Sequence, residues 1–339
     1  MSSMVTLSPG LGTTPGGYHS RISGIGGYRP ERVVPNSEIV ERIDSSDEWI
    51  RQRSGIEARH RAAPEETVVD MAEQAARAAI AHAGLEVDQV DAVLVATVTH
   101  PYQTPAAAPE LAHRLGLTCM AIDLSAACAG YCYGIGLASD MVRSGSAQNV
   151  LVLGVEKLSD FTDYDDRTIA FIFGDGAGAA VVSRSETPGI SPTVWGSDGE
   201  QKAVIAQDES WMEVRANPDL QFPSIKMQGQ SVFRWAVWTI AKKAQETLDA
   251  AGLTVADVDV FVPHQANMRI IDSLAKTLGL PESVVIADDI RTTANTSAAS
   301  VPLAMSKLVE SGQIRSGDVV LQIAFGAGLA YAGQVVIAP

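Results

Sequence analysis

The chain has 339 residues, too many for one small core, and its composition of 46% hydrophobic and 19% charged residues is typical of a globular protein with a large interior. Its formal net charge of -15 argues against a nucleic-acid-binding protein, which needs a broad basic face. No apolar run is long enough to span a bilayer, so no membrane association is expected. The cysteines Cys119, Cys128 and Cys132 match no zinc or C-x-x-C signature, which predicts a cytoplasmic location and no bound metal.

Helical and strand patterns alternate along most of the chain. Residues 1–18 are rich in Ser, Thr, Gly and Pro and predict a flexible leader. Hydrophobic periodicity and end signals predict the elements that follow. They are a strand from Arg21, a short helix from Ser45 capped by Ser46 or Asp47, a helix over Thr67–Ala83, apolar strands over 90–97 and 149–154, and a long helix over Gln228–Ala251.

The segment Gly174–Ala179 matches a loose G-x-G-x-x-A dinucleotide fingerprint, but a strand pattern follows it where the fingerprint needs a helix. It is therefore predicted to be a tight hairpin between strands over 168–173 and 179–182. Residues 188 to about 223 are irregular and predict a linker. The expected domains are an N-terminal half over 19–187 and a C-terminal half over 188–339.

An internal repeat supports this division. Residues 83–91, AGLEVDQVD, return 168 positions later as AGLTVADVD over 251–259, and each copy leads into an apolar strand. Two copies of one α/β unit with mostly parallel, helix-covered sheets explain this better than a chance match of low-complexity sequence. Helix-closing Ser-Gly pairs at 144 and 311 give an offset of 167, which places Asn295 opposite Cys128.

Cys128 is the candidate nucleophile. It lies where the strand ending at Asp123 gives way to a helix, and its neighbours are small enough for another molecule to approach the sulfur. The free N–H groups and the macrodipole at a helix start favour the thiolate. From this stretch alone, Cys128 could equally be a buried packing residue, as is expected of Cys132 one turn later.

Two further polar residues follow predicted element ends. His264 directly follows a strand of the second half, a position where open α/β sheets bind ligands, and His100 is its nearest competitor. Asn295 opens a helix of small residues, where it could also serve as an N-cap. The tight turn Ala324–Gly328 could direct N–H groups at an anion.

A Cys, a His and an Asn at element ends indicate acyl transfer through a thioester. Neutral His and Asn donors can stabilise the enolate of a decarboxylating donor, and two backbone N–H groups can hold a tetrahedral oxyanion. A Claisen condensation must stabilise both of these negative charges.

From about Arg21 to the C-terminus the sequence resembles the 3-oxoacyl-(acyl-carrier-protein) synthase III family of the thiolase superfamily. The resemblance rests on five motifs in order: DEWIRQRSGI over 47–56, DLSAACAG over 123–130, FGDGAG over 173–178, VPHQAN over 262–267 and NTSAAS over 295–300. It implies an α/β, thiolase-like five-layer αβαβα fold from two duplicated halves, and a homodimer. The implied reaction is decarboxylative condensation of an acyl-CoA starter with malonyl-acyl carrier protein, initiating fatty acid or polyketide synthesis. Coenzyme A thioester is then a substrate, and no cofactor is implied.

The resemblance also implies roles for individual residues. Cys128 is the acylated nucleophile, and His264 and Asn295 bind the malonyl thioester carbonyl. The N–H groups of Cys128 and Ala327 form the oxyanion hole. Ala327 and Ala294 each stand where the family often has Gly. The change at position 294 puts the approach to Asn295 in question, whereas the change at position 327 matters little because the donor is a backbone N–H.

Substrate contacts are implied in the same way. Trp49 and Arg167 sandwich the adenine of coenzyme A, with Arg53 near its phosphates. Thr104 enters the partner subunit's acyl pocket, where relatives with a Phe have a shorter pocket, so starters larger than acetyl are expected. The residues expected to dock an acidic carrier protein are Arg234 and Arg269, with Lys276 a weaker candidate.

Three alternatives remain open at this level. One is a priming ketosynthase of polyketide synthesis, with the same chemistry and a larger starter. Another is a Cys-His-Asn thiol hydrolase, although the papain-type sequence around the cysteine is missing. The third is a non-catalytic partner subunit, which the intact Cys, His and Asn argue against.

Overall fold

The computed structural model describes residue 14 and residues 16–339, so most of the predicted leader lies outside the described residues. In the described part, extended segments of two to eleven residues alternate with helices. The strands are β1 His19–Tyr28, β2 Arg32–Pro35, β3 Ala58–Arg61, β4 Ala92–Ala96, β5 Met120–Leu124, β6 Asn149–Lys157, β7 Asp175–Ser185, β8 Val194–Ser197, β9 Ile205–Gln207, β10 Ile225–Met227, β11 Val260–Pro263, β12 Val285–Ile286, β13 Val319–Gly326 and β14 Ala330–Ile337.

The helices are short to medium in length, and none of those described is long and apolar enough to cross a membrane. They are α1 Asn36–Ile39, α2 Asp47–Ser54, α3 Val68–His82, α4 Ala107–Leu115, α5 Gly130–Ser144, α6 Trp211–Ala216, α7 Gly229–Trp235, α8 Ala241–Ala251, α9 Met268–Leu278, α10 Ile290–Thr293 and α11 Ser300–Glu310.

Two five-stranded sheets share one topology. The first has the order β1-β7-β6-β4-β5 and the second the order β8-β14-β13-β11-β12. In each sheet the inner strand, β4 or β11, is parallel to both of its neighbours, whereas β7 and β14 run antiparallel to the strands beside them. This correspondence confirms the predicted repeat of one α/β unit.

Helices cover both faces of each sheet, which gives five layers. Helices α3 and α4 pack on the outer face of the first sheet, α8 and α9 on the outer face of the second, and α5 and α11 lie between the sheets. Side chains alternate across the strands as a pleated backbone requires: Leu94 of β4 enters the central layer, and Val93 and Val95 the outer one. The predicted αβαβα arrangement is therefore confirmed.

Helix ends follow from local sequence. Ser46 accepts a hydrogen bond from the Trp49 N–H and caps α2, so Ser46 and not Asp47 is the cap. Thr67 and Asp70 form a capping box at the start of α3, within the predicted helix Thr67–Ala83. Gly145 ends α5 in the left-handed conformation at φ 79°, where glycine has no Cβ to clash.

The predicted hairpin at Gly174–Ala179 is wrong. Residues 168–172 form turns, Phe173 forms an isolated bridge with Asn295, and β7 runs through Gly176 and Gly178. A Cβ on Gly178 would lie 2.7 Å from Pro302 Cβ, and one on Gly176 would lie 2.9 Å from Leu303 Cδ1. The glycines therefore allow α11 to approach β7 closely, which sequence alone does not distinguish from a turn.

Three other expectations need adjustment. The helix predicted over Gln228–Ala251 is interrupted by a π-helical turn at Ala236–Ile240. The region predicted to be an irregular linker contains β8, an edge strand of the second sheet, as well as β9 and α6. At the end of the predicted leader, the Gly17 N–H donates a hydrogen bond to the Arg143 carbonyl at 3.0 Å.

Candidate active site

Cys128 lies in a 3-10 turn, Ala127–Ala129, between β5 and α5. A matching turn, Ser297–Ala299, precedes α11, and its first residue has φ 47° against 43° for Ala127. The two turns contact each other in the centre of the molecule. Since the turns correspond residue by residue, Ala298 is the counterpart of Cys128. The expectation that Asn295 occupies that place is wrong by three residues, because the loop before the helix differs in length between the halves.

His264 follows β11 and is buried. The Ser300 hydroxyl oxygen accepts a hydrogen bond from the Gln265 N–H at 3.3 Å and lies 2.7 Å from His264 Nδ1. We assign the serine as the donor to Nδ1, which puts the proton of the neutral ring on Nε2. Burial lowers the pKa of His264 to about 3, which keeps the ring neutral and makes it a hydrogen-bond donor and not a cation.

Asn295 is held by its own loop. Its Oδ1 accepts a hydrogen bond from the Ser297 N–H at 2.8 Å, which leaves the Nδ2 donors for a ligand. The preceding residue, Ala294, has φ 58° and ψ -163°, a conformation that strongly favours glycine. The backbone thus explains why Gly is usual at position 294 in the resembled family and shows that Ala adopts the same path at a cost.

These three residues line one cavity of about 150 Å³, although they come from three separate segments. A second cavity of about 180 Å³ also borders Cys128, and its remaining lining is mostly apolar. The sulfur is therefore accessible from two compartments. Gly326 makes this possible, because a Cβ there would lie 2.8 Å from Cys128 Sγ.

The thiol of Cys128 is less acidic than its helix-start position predicts. Burial raises the pKa of Cys128 to about 11, and the negative charge of Glu156 acts in the same direction. The Ser297 hydroxyl and the N–H groups of Cys128 and Ala327 lower this pKa, but burial outweighs them. The expectation that the helix start favours the thiolate does not hold for the unliganded site.

Trp49, Arg53 and Arg167 form a cluster at the mouth of the first cavity. The guanidinium carbons of Arg53 and Arg167 lie 5.8 and 5.6 Å from the centre of the Trp49 ring system, within cation–π range. Arg53 also lines the cavity. Phe171 packs edge-on against Trp49 and orients it, with ring centroids 5.7 Å apart. An aromatic face beside two cations suits a purine with attached phosphates.

The remaining predicted residues lie on the surface. Thr104 is exposed and lines neither cavity of its own chain, and neither does His100, the competing histidine. Arg234 and Arg269 are both exposed, and Arg269 lies over the Phe233 ring at 5.7 Å. No ion pair among the described residues involves either arginine, so both remain available to a partner.

Sequence reasoning missed four residues around the site. Ser300 and Phe325 fix the His264 ring, the latter by an edge-on contact with centroids 5.4 Å apart. Glu156 and Ser297 lie behind Cys128. Glu156 had a usable signal, since it is an acidic residue in the otherwise apolar strand β6, whereas a serine at a helix start carries none.

Two repeated α/β units around a cavity that holds Cys, His and Asn define a class of protein, the thiolase-fold condensing enzymes. Known proteins agree with this class. The model of the 3-oxoacyl-[acyl-carrier-protein (ACP)] synthase III family matches residues 122–199, and the model of its C-terminal part matches residues 248–337.

Whole-length relatives extend the match. The chain is 58% identical over 325 residues to the beta-ketoacyl-[acyl-carrier-protein] synthase III of Streptomyces glaucescens, covering 96% of this chain and 98% of that protein. A mycobacterial synthase III from Mycobacterium avium is 50% identical over 330 residues, covering 97% and 98%. The solved priming beta-ketosynthase of the R1128 polyketide pathway superposes with a TM-score of 0.94 at 46% identity, covering 98% and 99%.

The chain belongs to the 3-oxoacyl-acyl carrier protein synthase III family and is an acyltransferase-type condensing enzyme. These relatives are named as synthases and ketosynthases, so the comparisons do not favour the thiol-hydrolase alternative.

Proposed function

We propose that this enzyme transfers an acyl group from coenzyme A to Cys128 and then to a decarboxylating malonyl-acyl carrier protein, releasing a 3-oxoacyl-acyl carrier protein. The observation that carries the proposal is the position of Cys128 between two cavities, one of which also contains His264 and Asn295. A nucleophile that borders two cavities can keep its acyl chain in one while the second substrate enters the other.

In the first half-reaction the thioester enters past Trp49, Arg53 and Arg167. The aromatic face stacks on the adenine, and the arginines pair with its phosphates. The N–H groups of Cys128 and Ala327 then stabilise the tetrahedral oxyanion, and both residues line the same cavity. Coenzyme A is a substrate in this scheme, and the chemistry needs no cofactor.

In the second half-reaction the malonyl thioester carbonyl lies between His264 Nε2 and Asn295 Nδ2. Both groups are neutral donors, as the low pKa of His264 and the occupied Asn295 Oδ1 imply. They stabilise the enolate that forms as carbon dioxide leaves, and the enolate carbon attacks the acyl group on Cys128.

The apolar cavity is suited to the acyl chain. Its lining residues other than Cys128 are mostly hydrocarbon, and they are Val98, Ala127, Leu158, Phe161, Phe173, Ile205, Ala206, Gln207, Ile225, Ser297 and Ala327. We propose that Thr104 of a partner subunit closes this cavity, so that starters larger than acetyl fit.

We also propose a homodimer, which the edge of the first sheet supports. Strand β5 is an edge strand whose Met120 and Ile122 are 44% and 40% exposed in the single chain. Unprotected apolar edges pair with another chain, and a second copy of β5 would cover both residues. The free thiols of Cys119, Cys128 and Cys132 fit the reducing cytoplasm.

For carrier-protein docking we propose the exposed cations Arg234 and Arg269. In a chain with a net charge of -15, an acidic carrier protein needs such a local basic patch. Whether the pathway makes fatty acids or polyketides depends on which carrier protein and starter are presented.

Half-reactions test this assignment. Cys128→Ala should abolish the acyl adduct seen by mass spectrometry with acetyl- or propionyl-CoA, whereas Cys132→Ala, which removes a buried thiol four residues away, should keep it. His264→Ala and Asn295→Ala should lose most malonyl decarboxylation but retain acylation in part. A normal adduct on Cys128→Ala, or acylation lost with decarboxylation intact in the other two variants, would contradict the roles assigned.

A further inference from the structure

Glu156 is a buried carboxyl group with no described function. It lies in β6, is fully buried, and belongs to none of the ion pairs found among the described residues. A buried carboxylate without a cation is costly and usually has a specific use. Here hydrogen bonds replace the cation. Oε2 accepts from Thr99 Oγ1 at 2.8 Å, from the Val98 N–H at 3.0 Å and from Thr97 Oγ1 at 3.2 Å.

The other carboxyl oxygen is directed at the nucleophile. Ser297 Oγ donates to Glu156 Oε1 at 3.1 Å, and Ser297 and Cys128 line the same cavity. A hydroxyl has one proton and two lone pairs, so a serine that donates to the carboxylate can still accept a proton from the thiol. Carboxylate, hydroxyl and thiol thus lie in series, an arrangement along which a proton can move.

The Ser297 hydroxyl is held in place for this contact. Its residue has φ 47°, a conformation that serine rarely adopts, and its N–H is fixed by Asn295 Oδ1. Strain of this kind persists where the surroundings impose it, often at functional sites.

Among the described residues that line the first cavity with Cys128, His264 is the other candidate acceptor for the thiol proton. It is a poor base, because burial lowers its pKa to about 3 and Ser300 Oγ lies 2.7 Å from Nδ1. By contrast, burial raises the pKa of Glu156 to about 7, close to the value at which a carboxylate is an effective base under physiological conditions.

Neighbouring charges on this part of the sheet have partners of their own. Lys157 donates to the backbone carbonyls of Ala63, Pro64 and Glu66, and Asp175 accepts from Ser159 and Ala62. No titratable side chain hydrogen-bonds to Glu156 among the described residues.

We propose that Glu156 and Ser297 form a proton relay that accepts the Cys128 thiol proton during acylation and returns it when the product leaves. The proposal rests on Cys128 being the acylated residue. It makes Glu156 the proton store of the whole catalytic cycle.

The protons balance over the two half-reactions. As Cys128 Sγ bonds to the acyl carbon, its proton moves to Ser297 Oγ and the serine proton moves to Glu156. The acyl–sulfur bond to coenzyme A breaks, and the departing thiolate takes a proton from solvent. In the second half-reaction the enolate carbon bonds to the acyl carbon and expels the Cys128 thiolate, which recovers its proton from Glu156 through Ser297. One proton from solvent is consumed per turnover, as decarboxylation of a malonate anion requires.

The test is the pH dependence of single-turnover acylation with acetyl-CoA and no carrier protein, followed by intact mass. The wild-type rate should rise through an inflection near pH 7 as Glu156 ionises, and then level off. Glu156→Gln retains the shape and can still hydrogen-bond to Ser297 but cannot accept a proton. It should acylate at least 100-fold more slowly at pH 7, within the usual range for general base catalysis. Its rate should instead climb about tenfold per pH unit, since the thiol must ionise unaided.

Three further variants separate a relay from a structural role. Glu156→Asp keeps a carboxylate and should restore the inflection in part. Ser297→Ala should match Glu156→Gln, and it should fold, because Ala127 adopts the same backbone conformation in the equivalent turn. Asp175→Asn removes a buried carboxylate from the adjacent strand without contacting Ser297, and it should leave the profile unchanged.

Malonyl decarboxylation, which needs no thiol proton transfer, completes the design. Glu156→Gln should retain it. If Glu156→Gln acylates at the wild-type rate and with the wild-type inflection, the relay is overturned. An equal loss of acylation and decarboxylation would also overturn it, because that pattern means a structural role. Failure of the wild-type enzyme to acylate Cys128 would instead overturn the proposed function.

Discussion

Replacing Gly326 with alanine should displace the nucleophile without replacing any side chain that takes part in the chemistry. An added Cβ would lie 2.7 Å from Cys128 Cβ and 2.8 Å from Sγ. Ordinary contacts between such atoms are about 3.5–4.0 Å, so the cysteine must move by about 1 Å. A displacement of this size costs about 10²-fold in rate, and the crowding costs about 1–3 kcal/mol of stability.

The assay is the rate of acyl-enzyme formation from acyl-CoA, measured by intact mass. Gly199→Ala is the matched control, because a Cβ at that position meets nothing within 4 Å and the backbone is not left-handed. Gly326→Ala should acylate about 100-fold more slowly than both wild type and the control while remaining folded by circular dichroism. Acylation at the wild-type rate would show that the sulfur position is not as tightly constrained as the structure implies.

Three other variants test separate parts of the account. Ala294→Gly should raise the free energy of unfolding by about 1 kcal/mol in denaturant titrations. Relief of about 1–3 kcal/mol of backbone strain exceeds the entropic penalty of glycine, which is about 0.4–1 kcal/mol. An unchanged free energy of unfolding would show that the backbone at position 294 is not strained. Thr104→Phe should shift the preference over a series of acyl-CoAs toward acetyl, because each methylene that no longer fits loses about 0.8 kcal/mol of burial free energy. An unchanged preference would rule out the pocket assignment. Arg269→Glu should raise the KM for malonyl carrier protein severalfold and leave acyl-CoA loading unchanged, with Lys276→Glu as the control; equal effects on both substrates would exclude docking.

Much of the site was predictable because its residues lie next to local signals. Cys128, His264 and Asn295 each follow an element boundary that the sequence marks, and the repeat indicated that the boundaries meet between two similar sheets. Motifs quoted from a resembled family then assigned the roles that the geometry now makes physically reasonable.

What the sequence could not supply depends on packing between distant segments. The glycines of β7 look like a turn until the helix α11 that rests on them is known. The high pKa of the Cys128 thiol follows from burial by both halves, which outweighs the local helix start that favoured a thiolate. Glu156 and Ser297 are 141 residues apart in sequence, and only the fold reveals that they hydrogen-bond to each other beside the nucleophile.

The most direct test of the central claim is intact mass of the enzyme after exposure to a mixture of acyl-CoAs, before and after malonyl-acyl carrier protein is added. The account predicts a stoichiometric acyl adduct that maps to Cys128, persists in the absence of the carrier protein, and disappears with release of carbon dioxide when the carrier protein is supplied. The mass of the adduct would identify the preferred starter. Continuous hydrolysis of acyl-CoA without the carrier protein, or an adduct on any residue other than Cys128, would contradict the account.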